Sequence, residues 1–344
     1  MKSIIRFFGR LGLGAFFFAL MFLIVDALVV PRIFGIVRPD AYDKSDYWGK
    51  SFVKESSMVA DLRSIEQTSI GDVLTSSNFD GRYINVVRGL RLTEPMVVNP
   101  TRRIVAFGGS TTFCAEVPDA LTWPSQLAQR VFDRKIEVIN AGLSGATFAD
   151  RVRAFEGLEL TDSNDVAIFF VGVNDAVIGS QTNEIVGPLA RWPRLRRVVE
   201  MTLSWSNSGR IALDSSQQLS FEITASSREA VDRFRQSLLR AEKVASASNV
   251  RLLVILQPNR IISRPSTWGA QVESLEEPYI RSFRDFYRQL IDSSEFQGRV
   301  VDGTRVFDAL DESPYLDFAH VQEKGNQAIA SFVFAELKSR GWLG

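Results

Sequence analysis

Hydrophobic and polar positions along this chain fall into three regimes. From Leu11 to Val30 the sequence reads LGLGAFFFALMFLIVDALVV, an apolar run broken only by Asp26. Residues 31–100 mix polar and apolar positions without a long amphipathic helix, although RYINVVRGLRL within them reads as a strand and turn. From Arg102 onward, short continuous apolar runs alternate with stretches of helical period. The runs are Ile104–Phe107, Ile136–Ile139, Val166–Val171, Leu252–Leu256 and Val300–Val301. Strands without polar alternation suit a sheet covered on both faces.

Helices are predicted between these runs. Pro124–Phe132 follows a Thr122 cap. Ser226–Ser246 opens with the capping-box spacing of Ser226 and Glu229 and keeps Val231, Phe234, Leu238 and Ala241 on one face. Pro278–Ile291 starts with proline in the first turn and turns Tyr279, Phe283, Phe286 and Leu290 inward. Asn326–Lys338 does the same with Ile329, Phe332, Val333 and Leu337. The alternation predicts an α/β domain over 101–344, a three-layer sandwich around a flavodoxin-like parallel sheet of about five strands. Residues 176–224 break the rhythm. They hold RWPRLRRVVEM and the tryptophans Trp192 and Trp205, and read as an insertion, either a lid over a site or a surface excursion with its own small core. The Arg191–Arg197 cluster within it reads as a solvated face or as a patch for an anionic surface.

The N-terminal run has the length an α-helix needs to cross a bilayer, roughly 20 residues. Lys2, Arg6 and Arg10 precede it, and Pro31 and Arg32 close it. That polarity predicts residues 1–10 in the cytoplasm, an anchor at 11–30, and the rest of the chain exported on the periplasmic side of the inner membrane. A cleaved signal peptide is the competing reading, but the run is long for one and no small-x-small cleavage site is evident. Residues 31–100 are then a connector that packs on the main domain.

Composition narrows the chemistry. Forty Lys+Arg balance forty Asp+Glu, with no basic excess of the kind that marks a nucleic-acid binder. The chain has one cysteine, Cys114, and one histidine, His320. No intramolecular disulfide can form, and zinc sites built from several His and Cys residues are excluded. No cofactor motif is found. Any histidine-dependent catalysis has a single candidate.

Four short motifs stand at the ends of predicted strands, or just before the last helix. They are Gly108-Gly109-Ser110-Thr111, Asn140-Ala141-Gly142-Leu143-Ser144-Gly145, Gly172-Val173-Asn174-Asp175 and Asp317-Phe318-Ala319-His320. Taken singly, each has an ordinary structural reading: turn glycines, an Asx turn at Asn174-Asp175, a core histidine. In open α/β sheets, however, chemistry gathers outside the carboxyl ends of the strands. A serine hydroxyl needs a neighbouring base to become a nucleophile, and imidazole can take and return its proton near neutral pH. Cys114 reads as a small buried hydrophobe, because no second histidine exists to activate it.

Together the four blocks resemble the SGNH (GDSL-like) hydrolases over residues 102–340, about two-thirds of the chain. The resemblance implies Ser110 as nucleophile, His320 as base and Asp317 as the acid that orients it. It implies an oxyanion hole from Ser110, Gly145 and Asn174, the glycine giving a backbone N–H and the asparagine its side-chain amide. Trp123-Pro124 matches a Trp-Pro pair common after the first block, and members with a Gly-Gly-Ser-Thr block often carry a membrane anchor. One departure is that Gly109 stands where many members have Asp. The expected activity is hydrolysis of acyl esters, of O-acetyl type, on an envelope or exported carbohydrate. The same residues serve an O-acyltransferase if a sugar hydroxyl takes the acyl group, and a non-catalytic envelope scaffold would retain only the fold.

Overall fold

The five apolar runs become five adjacent parallel strands, each sending alternate side chains to opposite faces of one sheet. The computed structural model describes residues 61, 65–70, 73–158, 160, 162–179, 215–262, 277–316 and 318–344. In chain order its elements are β1 (Gln67–Ile70), β2 (Val73–Ser76), β3 (Phe79–Asp80), β4 (Asn85–Val87), β5 (Leu90–Arg91), β6 (Arg102–Gly108), α1 (Ser110–Phe113) and α2 (Trp123–Val131). There follow β7 (Ile136–Gly142), α3 (Phe148–Glu156), β8 (Val166–Val171), α4 (Val173–Gly179), α5 (Ser215–Ala247), β9 (Arg251–Leu256), α6 (Glu277–Asp292), β10 (Val300–Asp302) and α7 (Glu323–Ser339).

The main sheet runs β10-β9-β8-β6-β7-β5-β4-β3. Its first five strands are parallel, with Ile104 opposite both Val138 and Val166, and Val166 opposite Arg251. Taken by sequence, the parallel strands lie in the order second, first, third, fourth, fifth, which is the flavodoxin order. Connections leave β6 toward one edge and β8 toward the other, so the crevice between these two strands is the switch point.

Three layers follow from the side-chain alternation. Ile104, Ala106, Val138, Ile168, Phe170 and Ile255 pack against Trp123, Leu127 and Val131 of α2 and Ile329, Val333 and Leu337 of α7. Val105, Phe107, Phe169, Val171, Val254 and Leu256 face Phe148 and Phe155 of α3, Phe234 and Leu238 of α5 and Phe283 and Phe286 of α6. Phe169 is the hub of the second layer, stacked on Phe107 with ring centroids 4.9 Å apart and touching Phe148 and Phe155.

The structure departs from the sequence expectations in four places. RYINVVRGLRL holds the expected strand and turn as β4 and β5, but residues 79–91, inside the stretch read as a connector, extend the main sheet by three antiparallel strands, with Arg91 opposite Asn140. The sheet is therefore mixed and eight-stranded. Helix α5 begins at Ser215, so Ser226 lies within it and is not its cap, and 215–224 belong to this helix and not to an insertion. Helix α3 was not expected; a capping box between Thr147 and Asp150 starts it. The Thr122 cap of α2 is as expected, its hydroxyl accepting from Ser125 N–H. The apolar run 11–30, residues 180–214 and Asp317 lie outside the described residues. Among the described residues, no helix is long and apolar enough to cross a membrane.

Candidate active site

Strand β6 ends at Gly108, and the chain turns through Gly109 into the single helical turn α1, which opens with Ser110. The N–H groups of Thr112 and Phe113 return to the Gly109 carbonyl. At the first helical position the Ser110 N–H has no intrahelical acceptor. Cys114 ends the turn in the left-handed conformation, φ 55°. Ser110 is thus held at the carboxyl edge of the sheet, beside the switch point between β6 and β8.

His320 arrives from the loop between β10 and α7. Its Nε2 lies 2.7 Å from Ser110 Oγ, across a sequence separation of 210 residues. Interactions with three parts of the fold hold that loop. Tyr315 and Val321 form an antiparallel bridge, with Leu316 N–H donating to the His320 carbonyl. Arg260 N–H donates to the Phe318 carbonyl, and the Phe318 ring meets Phe283 edge-on. Asn326, fully buried at the start of α7, donates to the carbonyls of Val321 and Gln322. Its Oδ1 accepts from Trp123 N–H and from the Cys114 thiol. One amide therefore joins the serine segment to the histidine segment.

The second and third motifs close on the first. Leu143 N–H donates to the Gly108 carbonyl at 3.0 Å. Gly145 is exposed, with φ +76°, and a Cβ added there would meet nothing within 4 Å. Glycine is needed at 145 for its backbone angle and not for space. Asn174, at the start of α4, donates from Nδ2 to the Ala146 carbonyl at 2.8 Å. That nitrogen has a second N–H. The same nitrogen would lie 2.4 Å from a Cβ built on Gly109. A side chain at 109 would therefore push the Asn174 amide from its present place.

Asp175 ties the two loops together. Its carboxylate accepts from Phe148 N–H at 3.0 Å and from Gly172 N–H at 3.1 Å. Burial outweighs these two bonds and pushes the carboxyl up to about 6. A carboxyl whose folded pKa lies above its unfolded value stabilises the fold most at low pH, and that contribution is lost as pH rises from about 4 through about 6. Asp175→Asn removes this titration. Between pH 4 and pH 7, the unfolding free energy of the variant should therefore gain on wild type by on the order of 2–3 kcal/mol, read by chemical denaturation at each pH. Parallel pH curves would show that Asp175 is ionised throughout.

The loop after Ser110 carries groups that sequence reasoning did not single out. The Arg91 side chain is fully buried and pairs with Asp119 at 2.9 Å. Three of its remaining N–H groups go to the carbonyls of Phe113, Cys114 and Val117. Glu116, in the same loop, places Oε1 3.6 Å from His320 Nε2. The only signal of either in the sequence is a charged residue next to a motif, and the pairings depend on the fold. Burial pushes the Cys114 thiol up to about 12, with Glu116 adding to the effect. Cys114 should not react with a neutral disulfide reagent at pH 8 in the native protein and should release one equivalent after denaturation. Rapid native labelling would place it at the surface.

Fold and site together define a class: an α/β protein with a serine–histidine pair at the switch point of a parallel sheet, flanked by a glycine loop and an asparagine amide. No protein-family model matches the sequence, and no curated protein matches it. Solved structures do match. A lipolytic protein of the G-D-S-L family from Veillonella parvula is 15% identical, with a TM-score of 0.42, over 68% of this chain and 97% of its own. Another putative one from Desulfitobacterium hafniense is 15% identical, with a TM-score of 0.39, over 67% and 97%. A catalytic mutant of an acetylxylan esterase from Geobacillus stearothermophilus is 14% identical, with a TM-score of 0.40, over 70% and 96%.

Proposed function

We propose that this protein is an SGNH-type serine esterase that cleaves acyl esters through an acyl-serine intermediate. The observation that carries the reading is the 2.7 Å contact between His320 Nε2 and Ser110 Oγ at the switch point. His320 takes the hydroxyl proton as Ser110 attacks the ester carbonyl, then returns it to the leaving alcohol. Asp317, three residues before the histidine, holds the imidazole in the tautomer that accepts at Nε2. The N–H groups of Ser110 and Gly145 and the second N–H of Asn174 receive the developing oxyanion. Water then repeats the sequence on the acyl-serine and frees the acid.

In this reading the substrate is a short acyl ester on an envelope or exported carbohydrate. The Leu11–Val30 run anchors the chain, with the catalytic domain outside the cytoplasm. A fluorophosphonate probe should label the full-length protein at Ser110, and a panel of acyl esters, with and without sugar acceptors, should show turnover to free acid. Absence of both labelling and turnover would overturn the esterase reading, and acyl transfer to the sugar in preference to water would make the protein a transferase. For the anchor, the protein should sediment with membranes, and a C-terminal reporter active only outside the cytoplasm should be active. A soluble product starting near residue 30 would show cleavage instead.

A further inference from the structure

The helical turn that carries Ser110 is four residues long, too short to keep its shape by its own hydrogen bonds. Bonds from the rest of the fold hold it. Asn140 and Arg91 take the carbonyls of Thr112, Phe113 and Cys114, at the end away from the nucleophile. Residue 111, next to Ser110, is held from another direction. Gln257 Nε2 donates to Thr111 Oγ1 at 3.0 Å, across a sequence separation of 146 residues, and both residues are buried.

Gln257 is itself fixed on both sides of its backbone. It follows Leu256, the last residue of β9, and its N–H donates to the Val171 carbonyl of β8 at 2.9 Å. Its carbonyl accepts from the buried Tyr287 hydroxyl at 3.1 Å. Burial holds that hydroxyl well above the usual phenol range, so it stays a donor at neutral pH. Tyr287 belongs to α6, where its ring stacks on Phe283 with centroids 5.1 Å apart and meets Phe286 edge-on. A Cβ built on Gly172 would lie 3.0 Å from the same hydroxyl, so α6 also backs the segment that leads to Asn174. From this chain of bonds, and resting on the esterase reading above, we infer that Gln257 is a positioning residue for the nucleophile. It fixes Thr111, and through Thr111 it sets where the Ser110 hydroxyl and N–H stand. The planar peptide between the two residues passes any shift of 111 to the Ser110 Cα. A displacement of about 1 Å at a reacting group can cost about 10²-fold in rate.

The test measures kcat/KM on 4-nitrophenyl acetate and the rate of fluorophosphonate labelling for the full-length protein, with the sites labelled at completion counting the folded fraction. Gln257→Met keeps the length of the side chain and loses the donor; Thr111→Val keeps the shape and loses the acceptor. Each should lower both rates per labelled site by about 10- to 100-fold and in the same proportion, because both begin with attack by Ser110. The double variant should fall no more than a few-fold below either single one, since the same bond is lost only once. Thr111→Ser restores the hydroxyl and should recover most of the rate lost in Thr111→Val. Should Gln257→Met not fold, the valine and serine variants at 111 decide. Wild-type rates per labelled site in Thr111→Val, additive losses in the double variant, or a serine variant no faster than the valine one each overturn the inference. Labelling of Ser110 and turnover by wild type leave the esterase reading standing in all three cases. No labelling and no turnover by wild type overturns both.

Discussion

Replacing Ser110 by alanine should leave a folded protein whose kcat is lower by about 10⁶. In the proposed mechanism, removing the hydroxyl deletes the nucleophile outright, and the residual rate is what the proposed oxyanion donors and binding alone can supply. Little stability should be lost. Ser110 is only partly buried and opens a helical turn, where alanine is tolerated. Its side-chain contact with His320 Nε2 can be replaced by water at the sheet's open edge. The measurement is kcat on an acetyl ester alongside a melting curve on the same preparation. A folded alanine variant within tenfold of the wild-type rate would remove Ser110 from the mechanism.

The second large effect lies at Asn174 and can be tested from two directions. If its amide donates to the oxyanion, Asn174→Ala should lower kcat by about 10²–10³, roughly 3–4 kcal/mol, with little change in KM. Some loss of melting temperature is expected in any case, because the amide also holds the Ala146 carbonyl. The rate of the folded fraction therefore decides. Gly109→Ala attacks the same amide from below, since its Cβ would sit 2.4 Å from Asn174 Nδ2. It should give a loss of similar size. On the Asn174→Ala background that steric conflict is gone, so the second change should cost no more than a few-fold. Additive losses would mean the two residues act separately.

How far the sequence foretold this architecture depended on burial and on distance along the chain. Val166–Val171 was legible residue for residue, because a strand covered on both faces must be apolar throughout. RYINVVRGLRL was legible as a strand and turn and holds β4 and β5, but β3 and the pairing of all three strands with the main sheet were not, because strands of two or three residues give periodicity nothing to count. The start of α5 was misplaced because Ser226 and Glu229 imitate a cap, although nothing in the folded chain stops the helix there. Ser110, His320, Gly145 and Asn174 could be picked out because each sits in a short motif. Glu116, Arg91 and Asn326 could not. They act through partners far away in the chain, and only the fold brings Glu116 to the histidine and Arg91 to the serine's loop. For Asp175 the residue was visible, but its bond to Phe148 N–H required a helix that had not been expected.

Arg91 also bears on how portable this site is. The guanidinium that holds three carbonyls of the loop after Ser110 comes from a hairpin that precedes the parallel strands in the chain. A fragment starting at Arg102 would keep Ser110, Gly145, Asn174 and His320, yet it would leave those carbonyls without their donor and the β7 edge bare. Grafting the four motifs onto another doubly wound sheet would inherit the same gap. The smallest transplantable unit therefore begins upstream of Phe79, and an engineer who trims to the α/β repeat discards the brace along with the hairpin.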